Sequence, residues 1–427
     1  IKMDTKNKKN GNVPNLRFKE FEGEWEIKKL GEVSNVSKLA GYEFTKYVVY
    51  QDTGKIIALR GLNVKNNSLD LSDVKYIDES DLSKLNRSKL FINDLMFTYI
   101  GTIGEVALID ENDRFYLAPN VSRIRIDKDK VVPHFLLQYF NNPRFRNTEI
   151  AKYISSSSQP ALTMKNVRKF GIILPSLPEQ TKIASFLSLI DERIATQMKT
   201  IQSLESLMRG LREKIFSQKL RFRDGKGNEF AEWEDKTLGE IGNFQTSSID
   251  KLIRDNEKIV FLINYMNVYR HENINSKTVK LFQIVSAKDS QIENCNLKKG
   301  DILFTPSSET ADDIGHSVVI SENLENTVFS YHLMRFRPNI KLDILYSHYF
   351  CNIPTVLNQL SKLATGSTRF TISVKSFSSV KIKLPTLSEQ TKIANFLSSI
   401  DRKIETEKEI LTQYQSQKKY LLQNLFI

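Results

Sequence analysis

The sequence has little cysteine and no long apolar run. Its 427 residues contain only two cysteines, Cys295 and Cys351, which are too few for a disulfide framework or a zinc site. No stretch of about eighteen apolar residues occurs, so the sequence predicts no membrane-spanning helix. The opening residues IKMDTKNKKNGNVPN lack the apolar segment of a secretory signal. These absences favour a protein of the reducing cytoplasm.

Motifs of nucleotide-binding and catalytic sites are also missing. No G-x-x-x-x-G-K-[ST] or G-x-G-x-x-G string occurs. No Pro-Pro pair occurs either, which excludes the Asn-Pro-Pro-aromatic stretch of amino-methyltransferases. The five histidines have neither H-x-x-x-H nor H-E-x-x-H spacing, and we interpret His316, in a Gly-His-Ser string, as a turn histidine. The sequence therefore predicts no catalytic residue, no metal site and no cofactor bound by this chain.

Positive charge is in excess. Lysine and arginine total 62 residues against 50 aspartates and glutamates, so the net charge is +12 and the isoelectric point is about 9.3. This balance favours a polyanionic partner, with nucleic acid as the first candidate, and a lysine-rich soluble surface is the alternative. No long block of like charge occurs, so the excess is expected to be spread over folded surfaces.

The chain repeats itself at a spacing of about half its length. LPSLPEQTKIASFLSLID, which starts at Leu174, matches LPTLSEQTKIANFLSSID, which starts at Leu384, at fourteen of eighteen positions. Leu-Arg-Phe occurs at 16 and at 220, and Trp-Glu at 25 and at 233. NDLMFT at 93 corresponds to GDILFT at 300, and SRIRI at 122 resembles MRFRP at 334. Asn93 and Gly300 both tolerate the positive φ that a tight turn into a strand requires. A repeat on this scale indicates one module, duplicated.

Each module is predicted to contain a globular domain and a long helix. Residues of about 26–175 and 234–385 carry short apolar runs broken by Gly, Asn, Asp and Ser, a pattern typical of short strands. One amphipathic helix per domain is expected, near PHFLLQYFNNPRF and LDILYSHYFCNI. The predicted fold class is α+β, with mostly-β domains. The predicted divisions are a polar tail at 1–14, a first domain at 15–175, a helix at 176–218, a second domain at 219–385 and a helix at 386–427.

The repeated stretch predicts the starts of the two long helices. Ser176 with Glu179, and Thr386 with Glu389, have the spacing of a capping box. Apolar residues then recur with the 3.5-residue period of a coiled-coil seam. If the seams pair, chain order makes the helices antiparallel in a pseudo-two-fold dumbbell; a bundle core around the helices is the alternative. The residues expected in helix pairing or at a partner interface are Ile183, Leu187, Ile190, Ile194, Ile393, Leu397, Ile400 and Ile404.

Polar, basic and aromatic side chains in predicted loops of both domains are candidates for DNA contact. Arg and Lys can pair with guanine edges or phosphates, and Asn and Gln suit adenine. A solvated loop side chain is the alternative for each of them. The candidates are Arg60, Asn63, Lys65, Tyr99, Gln159, Lys165, Asn166, Tyr265, Asn267, Arg270, Ser307, Ser308, Thr310, Arg369 and Lys375.

Three paired motifs carry a resemblance to a known family. They are the helix-opening motif at Leu174 and Leu384, the module start at Trp25 and Trp233, and the Asp-x-x-Phe-Thr motif at Asp94 and Asp301. In these motifs the chain resembles the specificity subunit of type I restriction-modification systems, over nearly its whole length beyond the first fourteen residues.

The resemblance implies a function and a set of partners. It implies two target-recognition domains, each reading one half of a split double-stranded DNA sequence, separated by two long antiparallel helices. It also implies assembly with two methyltransferase subunits, which bind S-adenosylmethionine and methylate adenine, and with two restriction or motor subunits that use ATP and Mg. The subunit itself would have no catalysis.

Two other functions are kept as alternatives. A stand-alone DNA methyltransferase or nuclease would need the motifs that are missing, and an activity assay on the isolated chain tests it. A coiled-coil adaptor that does not contact DNA would lack the steep salt dependence that phosphate contacts produce.

Overall fold

The computed structural model describes residues 2–3, 11–154 and 160–427. The chain divides into two compact units, one built from Ile1–Lys199 with Glu409–Ile427 and the other from Thr200–Lys408. Each unit therefore joins one globular domain to a segment of each long helix. The predicted polar tail at 1–14 lies largely outside the described residues.

The first unit contains thirteen short strands among its described residues. They are β1 Lys2–Met3, β2 Leu16–Arg17, β3 Glu26–Lys29, β4 Ser34–Lys38, β5 Ile57–Leu59, β6 Val64–Lys65, β7 Ser68–Leu69, β8 Lys75–Tyr76, β9 Leu95–Thr98, β10 Val106–Leu108, β11 Phe115–Leu117, β12 Val121–Ile126 and β13 Gly171–Leu174. An antiparallel sheet has the order β10-β9-β12-β4, and a second sheet has the order β11-β5-β8. Strands β3 and β13 pair with each other and so bring the start of the module beside the start of its long helix.

Short helices complete the first domain. They are α1 Gly41–Tyr47, α2 Pro133–Phe140, α3 Pro143–Phe145 and α4 Met164–Arg168, and the first long helix is α5 Leu177–Phe216. Helix α3 continues through a π-helical turn at Arg146–Ile150 and a 3-10 turn at Ala151–Tyr153. Other 3-10 turns are Leu30–Glu32, Gly61–Asn63, Leu82–Lys84 and Asn86–Ser88. The amphipathic helix expected near PHFLLQYFNNPRF is α2.

The second unit repeats the main sheet of the first. Its strands are β14 Glu234–Thr237, β15 Gly242–Thr246, β16 Lys258–Ile263, β17 Gln283–Ala287, β18 Asn296–Leu297, β19 Ile302–Phe304, β20 Ser307–Ser308, β21 Ser317–Val319, β22 Leu324–Phe329, β23 Met334–Pro338, β24 Phe370–Thr371 and β25 Lys381–Leu384. The order β15-β23-β19-β21 is the counterpart of β4-β12-β9-β10, and β14 pairs with β25 as β3 pairs with β13. The other sheets have the orders β17-β16-β22-β18 and β20-β24.

The helices of the second unit also follow the first. They are α6 Leu238–Ile241, α7 Tyr265–Tyr269, α8 Asp289–Cys295, α9 Ile344–Phe350, α10 Pro354–Leu363 and α11 Val374–Ser378, with a 3-10 turn at Thr278–Leu281, and the second long helix is α12 Leu387–Asn424. Helix α9 is the amphipathic helix expected near LDILYSHYFCNI. Asn93 and Gly300, which precede β9 and β19, have φ angles of 73° and 92°. The positive φ expected at these two turn positions is therefore confirmed.

The two long helices run antiparallel. In the first unit Lys418 of α12 forms an ion pair with Asp191 of α5, and in the second unit Lys408 of α12 pairs with Glu205 of α5 at 2.8 Å. Residue numbers thus fall along α12 as they rise along α5. The predicted α+β fold, with mostly-β domains, long antiparallel helices and an internal duplication, is confirmed.

The long helices are anchored in the hydrophobic cores of the domains. In the first unit Ile183, Leu187 and Ile190 are buried, and Ile194 packs half-buried, in a core with Leu421. In the second unit Ile393, Leu397 and Ile404 are buried, with Ile400 half-buried beside them, in a core shared with Met208. Both cores also contain residues of the globular domain. Among the residues described, no helix has the length and apolar character of a membrane span.

Candidate nucleic-acid interface

In each unit, the loop that leaves β9 or β19 pairs with the segment that precedes a short helix. The amide of Leu162 donates to the carbonyl of Tyr99, and the amide of Ile372 donates to the carbonyl of Pro306, both at 2.9 Å. We call these two surfaces the first and second loop junctions, made of residues 99–102 with 160–166 and residues 305–310 with 365–376. Equivalent backbone contacts therefore build one frame in both units.

Each loop junction ends in a short capped helix that carries an exposed lysine. The Thr163 hydroxyl accepts from the amide of Asn166 at 3.2 Å at the start of α4. The Ser373 hydroxyl caps α11 in the same way at 3.1 Å. Lys165 and Lys375 are the second residues of these helices, 210 residues apart, and both are exposed. The sequence candidates Lys165 and Lys375 therefore lie at equivalent places, and the candidate Asn166 follows Lys165 in α4.

A groove of about 770 Å³ adjoins the first loop junction. Arg60 and Lys65 line it, as do residues that sequence reasoning missed: Phe44, Tyr50, Asn66 and Asn120. The φ angles of Asn66 and Asn120 are 51° and 71°. Asparagine tolerates positive φ, and this tolerance is the only sequence signal that could have indicated these two residues.

Both basic candidates in this groove already have acidic partners. Arg60 Nη2 donates to the Asp73 carboxylate at 2.9 Å, and Lys65 pairs with Asp70 at 3.1 Å. Hydrogen bonds from Ser72 and from Lys65 lower the pKa of Asp70 to about 2. A phosphate or base at this groove would therefore have to compete with these carboxylates for the two cations.

Two asparagine candidates hold turns together. Asn63 is fully buried; its Oδ1 accepts from the amide of Arg60 at 3.0 Å, and its Nδ2 donates to two backbone carbonyls. Asn267, half-buried at the equivalent position, accepts from the amide of Asn264 at 2.8 Å and donates to Glu272 at 2.7 Å. In both units, therefore, the side-chain amide of this asparagine is bonded within its own turn, and that of Asn63 is also buried.

Two further candidates are mostly covered. Tyr99 is 6% exposed, and the ammonium group of Lys38 lies 5.1 Å from the centre of its ring. Ser308 is also 6% exposed, on β20. The side chains of these two residues therefore lie beneath the junction surfaces.

The second loop junction displays an arginine at the tip of a hairpin. Thr365 and Thr371 exchange two backbone hydrogen bonds of 2.9 Å, and Arg369 lies exposed between them. Tyr265 donates from its hydroxyl to the Ser307 carbonyl at 2.9 Å. Thr310 of this junction is exposed, and so is Arg270, which follows the last residue of α7. Gln159, which the sequence aligns with Arg369, lies outside the described residues.

No metal site accompanies these surfaces: within the residues described, no group of three or more His, Cys, Asp or Glu side chains could hold a metal ion.

Comparison with known proteins agrees with the duplication. The family model described as the type I restriction modification DNA specificity domain matches residues 22–206 and 231–414. The putative type I restriction enzyme MjaX specificity subunit of Methanocaldococcus jannaschii is 25% identical over 439 residues, covering 97% of this chain and 95% of that protein. The MjaVIII specificity subunit of the same organism is 23% identical over 426 residues, covering 95% and 94%.

Solved structures share the fold. The crystal structure of a type I restriction-modification S subunit from M. genitalium has a TM-score of 0.57 at 15% identity, covering 97% of this chain and 99% of that one. A structure from work on the complex assembly and conformational transition of the type I R-M system has a TM-score of 0.59 at 18% identity, covering 93% and 96%. The family match covers both modules, and so the chain belongs to the type I restriction-modification DNA specificity family, with two copies of its domain.

Proposed function

We propose that the chain reads a two-part DNA target, one half with each globular domain, and holds DNA-modifying subunits on that target. The supporting observation is that equivalent backbone contacts build both loop junctions, whereas their side chains differ. The backbone-bonded pair is Tyr99 with Leu162 in the first junction and Pro306 with Ile372 in the second. Two copies of one frame with different surfaces suit two different half-sites.

Equivalent and differing positions suit different tasks at DNA. A phosphate contact positions a protein without reading sequence, whereas base edges carry the sequence information. Lys165 and Lys375 have the same chemistry in both copies, which suits phosphate. Arg369 differs from its aligned counterpart Gln159, which suits two different bases. The net charge of +12 supports both kinds of contact.

Partner subunits would supply the chemistry. Specificity subunits are not catalytic, and the enzyme activities of a type I complex belong to its other subunits. The complex proposed here contains two methyltransferase and two restriction or motor subunits. Helix α5 leaves Leu189, Met198 and Leu207 exposed by 58%, 46% and 51%. Successive members of this set are nine residues apart, which places them on opposite sides of the helix, so they do not form one continuous apolar patch.

A domain exchange tests the two-part reading. Residues of about 26–175 are replaced by the matching residues of another specificity subunit, and methylated sites are mapped in a host that carries the partner subunits. Only one half of the methylated sequence should change. The reciprocal exchange of about 234–385 is the matched control and should change only the other half. A change of both halves in either chimera would contradict the proposal.

The same proposal assigns S-adenosylmethionine, ATP and Mg to the partner subunits and none of them to this chain. Titration calorimetry of the purified full chain should therefore detect no S-adenosylmethionine binding, and the assembled methyltransferase complex serves as the positive control. Micromolar affinity in the chain alone would overturn this assignment.

A further inference from the structure

Four polar side chains of the second unit form a connected chain, which we call the histidine chain: Tyr269, Asp313, His316 and His271. The Tyr269 hydroxyl donates to Asp313 Oδ2 at 3.0 Å, and His316 Nε2 lies 2.9 Å from Asp313 Oδ1. His316 Nδ1 lies 3.2 Å from His271 Nε2. His271 Nδ1 lies 3.1 Å from the carbonyl oxygen of Ser317.

The number of protons in this chain follows from its contacts. The Ser317 carbonyl and the ionised Asp313 carboxylate can only accept, so His271 Nδ1 and His316 Nε2 must each carry a proton. The contact between the two rings needs a third proton. Three protons on four ring nitrogens give the histidine pair one positive charge beside the negative charge of Asp313. Burial lowers the pKa of His271, which disfavours the positive charge on that ring.

The histidine chain connects to the second loop junction through two tyrosines. The rings of Tyr269 and Tyr265 are stacked, with centres 5.8 Å apart and an angle of 19° between their planes. Tyr269 also packs against His316, and the centres of these two rings are 4.6 Å apart. Tyr265 in turn donates to the Ser307 carbonyl. The position of the junction loop is therefore tied to the hydrogen bonds of the histidine chain.

Other charged and titratable groups also face the pair. They come from α5, from the loop before β21, from α9 and from α12. Burial lowers the pKa of His348, and Tyr349 donates to Asp401 at 2.5 Å. The groups that line or adjoin this pocket of about 380 Å³ are Arg212, Asp312, Asp313, His348, Tyr349 and Asp401.

The first unit has no such chain at the equivalent position. Glu105 precedes β10 as His316 precedes β21. Its carboxylate accepts from the amide of Asn66 at 3.1 Å and from Arg146 at 3.2 Å. This pair contains no histidine, the side chain whose ordinary pKa lies closest to neutral pH. The first loop junction therefore provides an internal comparison without a histidine.

We propose that the histidine chain positions the second loop junction in a proton-dependent way, so that recognition of the second half-site is linked to pH while that of the first is not. This inference rests on the proposed reading of DNA by both domains. When the third proton is lost at higher pH, one hydrogen bond of the chain is lost with it. A fourth proton at lower pH removes the acceptor on His271 and leaves two cations 3.2 Å apart. Binding is strongest between these limits.

The test is a pH series of DNA binding by the full chain. The probe is a fluorescent duplex that carries the mapped methylation sequence, titrated from about pH 5 to 8.5 at constant ionic strength. Wild-type affinity should fall on both sides of a maximum by about fivefold, the effect of one lost hydrogen bond. His316→Gln, which cannot take up a proton, should show a flat profile. His134→Gln, which changes an exposed histidine of the first unit, is the matched control and should keep the wild-type profile.

Several outcomes would overturn the proposal. A wild-type profile in His316→Gln would do so, and so would a loss of affinity by the same factor at every pH, since that indicates a structural role alone. Asp313→Asn provides a second variant if His316→Gln is unstable, and it should also flatten the profile. Nitrogen-15 spectra of histidine-labelled chain without DNA count the imidazole protons directly. Two protons on the pair at neutral pH would overturn the histidine chain, whereas no sequence-specific binding by the wild type at any pH would overturn the proposed function.

Discussion

Arg17 donates two hydrogen bonds of 2.8 Å, from Nε and Nη2, to the carboxylate of Glu179. Arg221 contacts Glu389 in the same way, at 3.5 and 3.1 Å. Glu389 also accepts from the indole of Trp233 at 2.9 Å. The Leu-Arg-Phe start of each module is thereby fixed to the first turn of its long helix. In both copies, therefore, the Leu-Arg-Phe motif and the helix-opening motif are in direct side-chain contact.

The pair in the second unit gives a stability prediction. Glu389 is fully buried and the Arg221 side chain is 22% exposed. Glu389→Ala leaves a largely covered arginine and the Trp233 indole without this acceptor, and should lower the free energy of unfolding by about 3 kcal/mol. Denaturant unfolding of the full chain measures the loss.

The same arginine supplies the control. Glu232 also pairs with Arg221, at 3.0 Å, but its side chain is 89% exposed. Glu232→Ala should therefore change the free energy of unfolding by less than about 1 kcal/mol. Equal losses in the two variants would show that burial of Glu389 does not set the strength of this contact.

Local signals in the sequence were sufficient for the elements but not for their partners. The helix starts and the turns at Asn93 and Gly300 lie where the sequence predicts them. The carboxylates of Glu179 and Glu389, however, accept from Arg17 and Arg221, more than 160 residues away, and not from the neighbouring amides that a capping box would use. The contacts of the Asp-x-x-Phe-Thr motif likewise depend on a residue that is distant in the sequence. Asp94 accepts two hydrogen bonds from Arg125, and Asp301 accepts two from Arg337. Both arginines lie in the repeated strand motif, yet only strand pairing brings them to the aspartates.

The candidate site shows the same difference between local and distant information. Asn63 has a residue type that suits adenine, but its amide is used by its own turn. Local composition does not distinguish a turn asparagine from one on a binding surface. His316 lies just before β21, where a turn histidine is expected, but its partner His271 is 45 residues away. Such pairs require the tertiary structure.

The long helices give a second stability prediction, from two adjacent residues. Ile190 of α5 is 6% exposed within the core of the first unit, whereas its neighbour Leu189 is 58% exposed. Ile190→Asp places a charge in that core and should lower the free energy of unfolding by about 3–5 kcal/mol. Leu189→Asp changes an exposed position, where the main effect is the lower helix propensity of aspartate, and should lower the free energy of unfolding by about 1 kcal/mol or less. If the two variants unfold at the same denaturant concentration, the core position assigned to Ile190 is wrong.

The equivalent lysines of the two loop junctions predict a change in salt dependence. Lys165→Ala and Lys375→Ala should each reduce the slope of log affinity against log salt by about 1. The methylated sequence should stay the same, because phosphate contacts carry no sequence information. Lys128→Ala removes an exposed lysine outside both junctions and should leave the slope unchanged. A new methylated sequence in either junction variant would assign that lysine to base contact instead.

The length of the helices should set the gap between the two half-sites. Helix α5 is continuous from Leu177 to Phe216 and α12 from Leu387 to Asn424, so each can be extended by about one turn. Four residues inserted after Gln197, with four more after the equivalent Glu407, should lengthen both helices by about 6 Å. At 3.4 Å per base pair, that adds about two base pairs to the gap in the methylated sequence. Insertion in α5 alone is the control, and because the paired helices then differ in length it should reduce methylation rather than move the sites. Full methylation at the original gap in the double insertion would show that the helices do not determine the spacing.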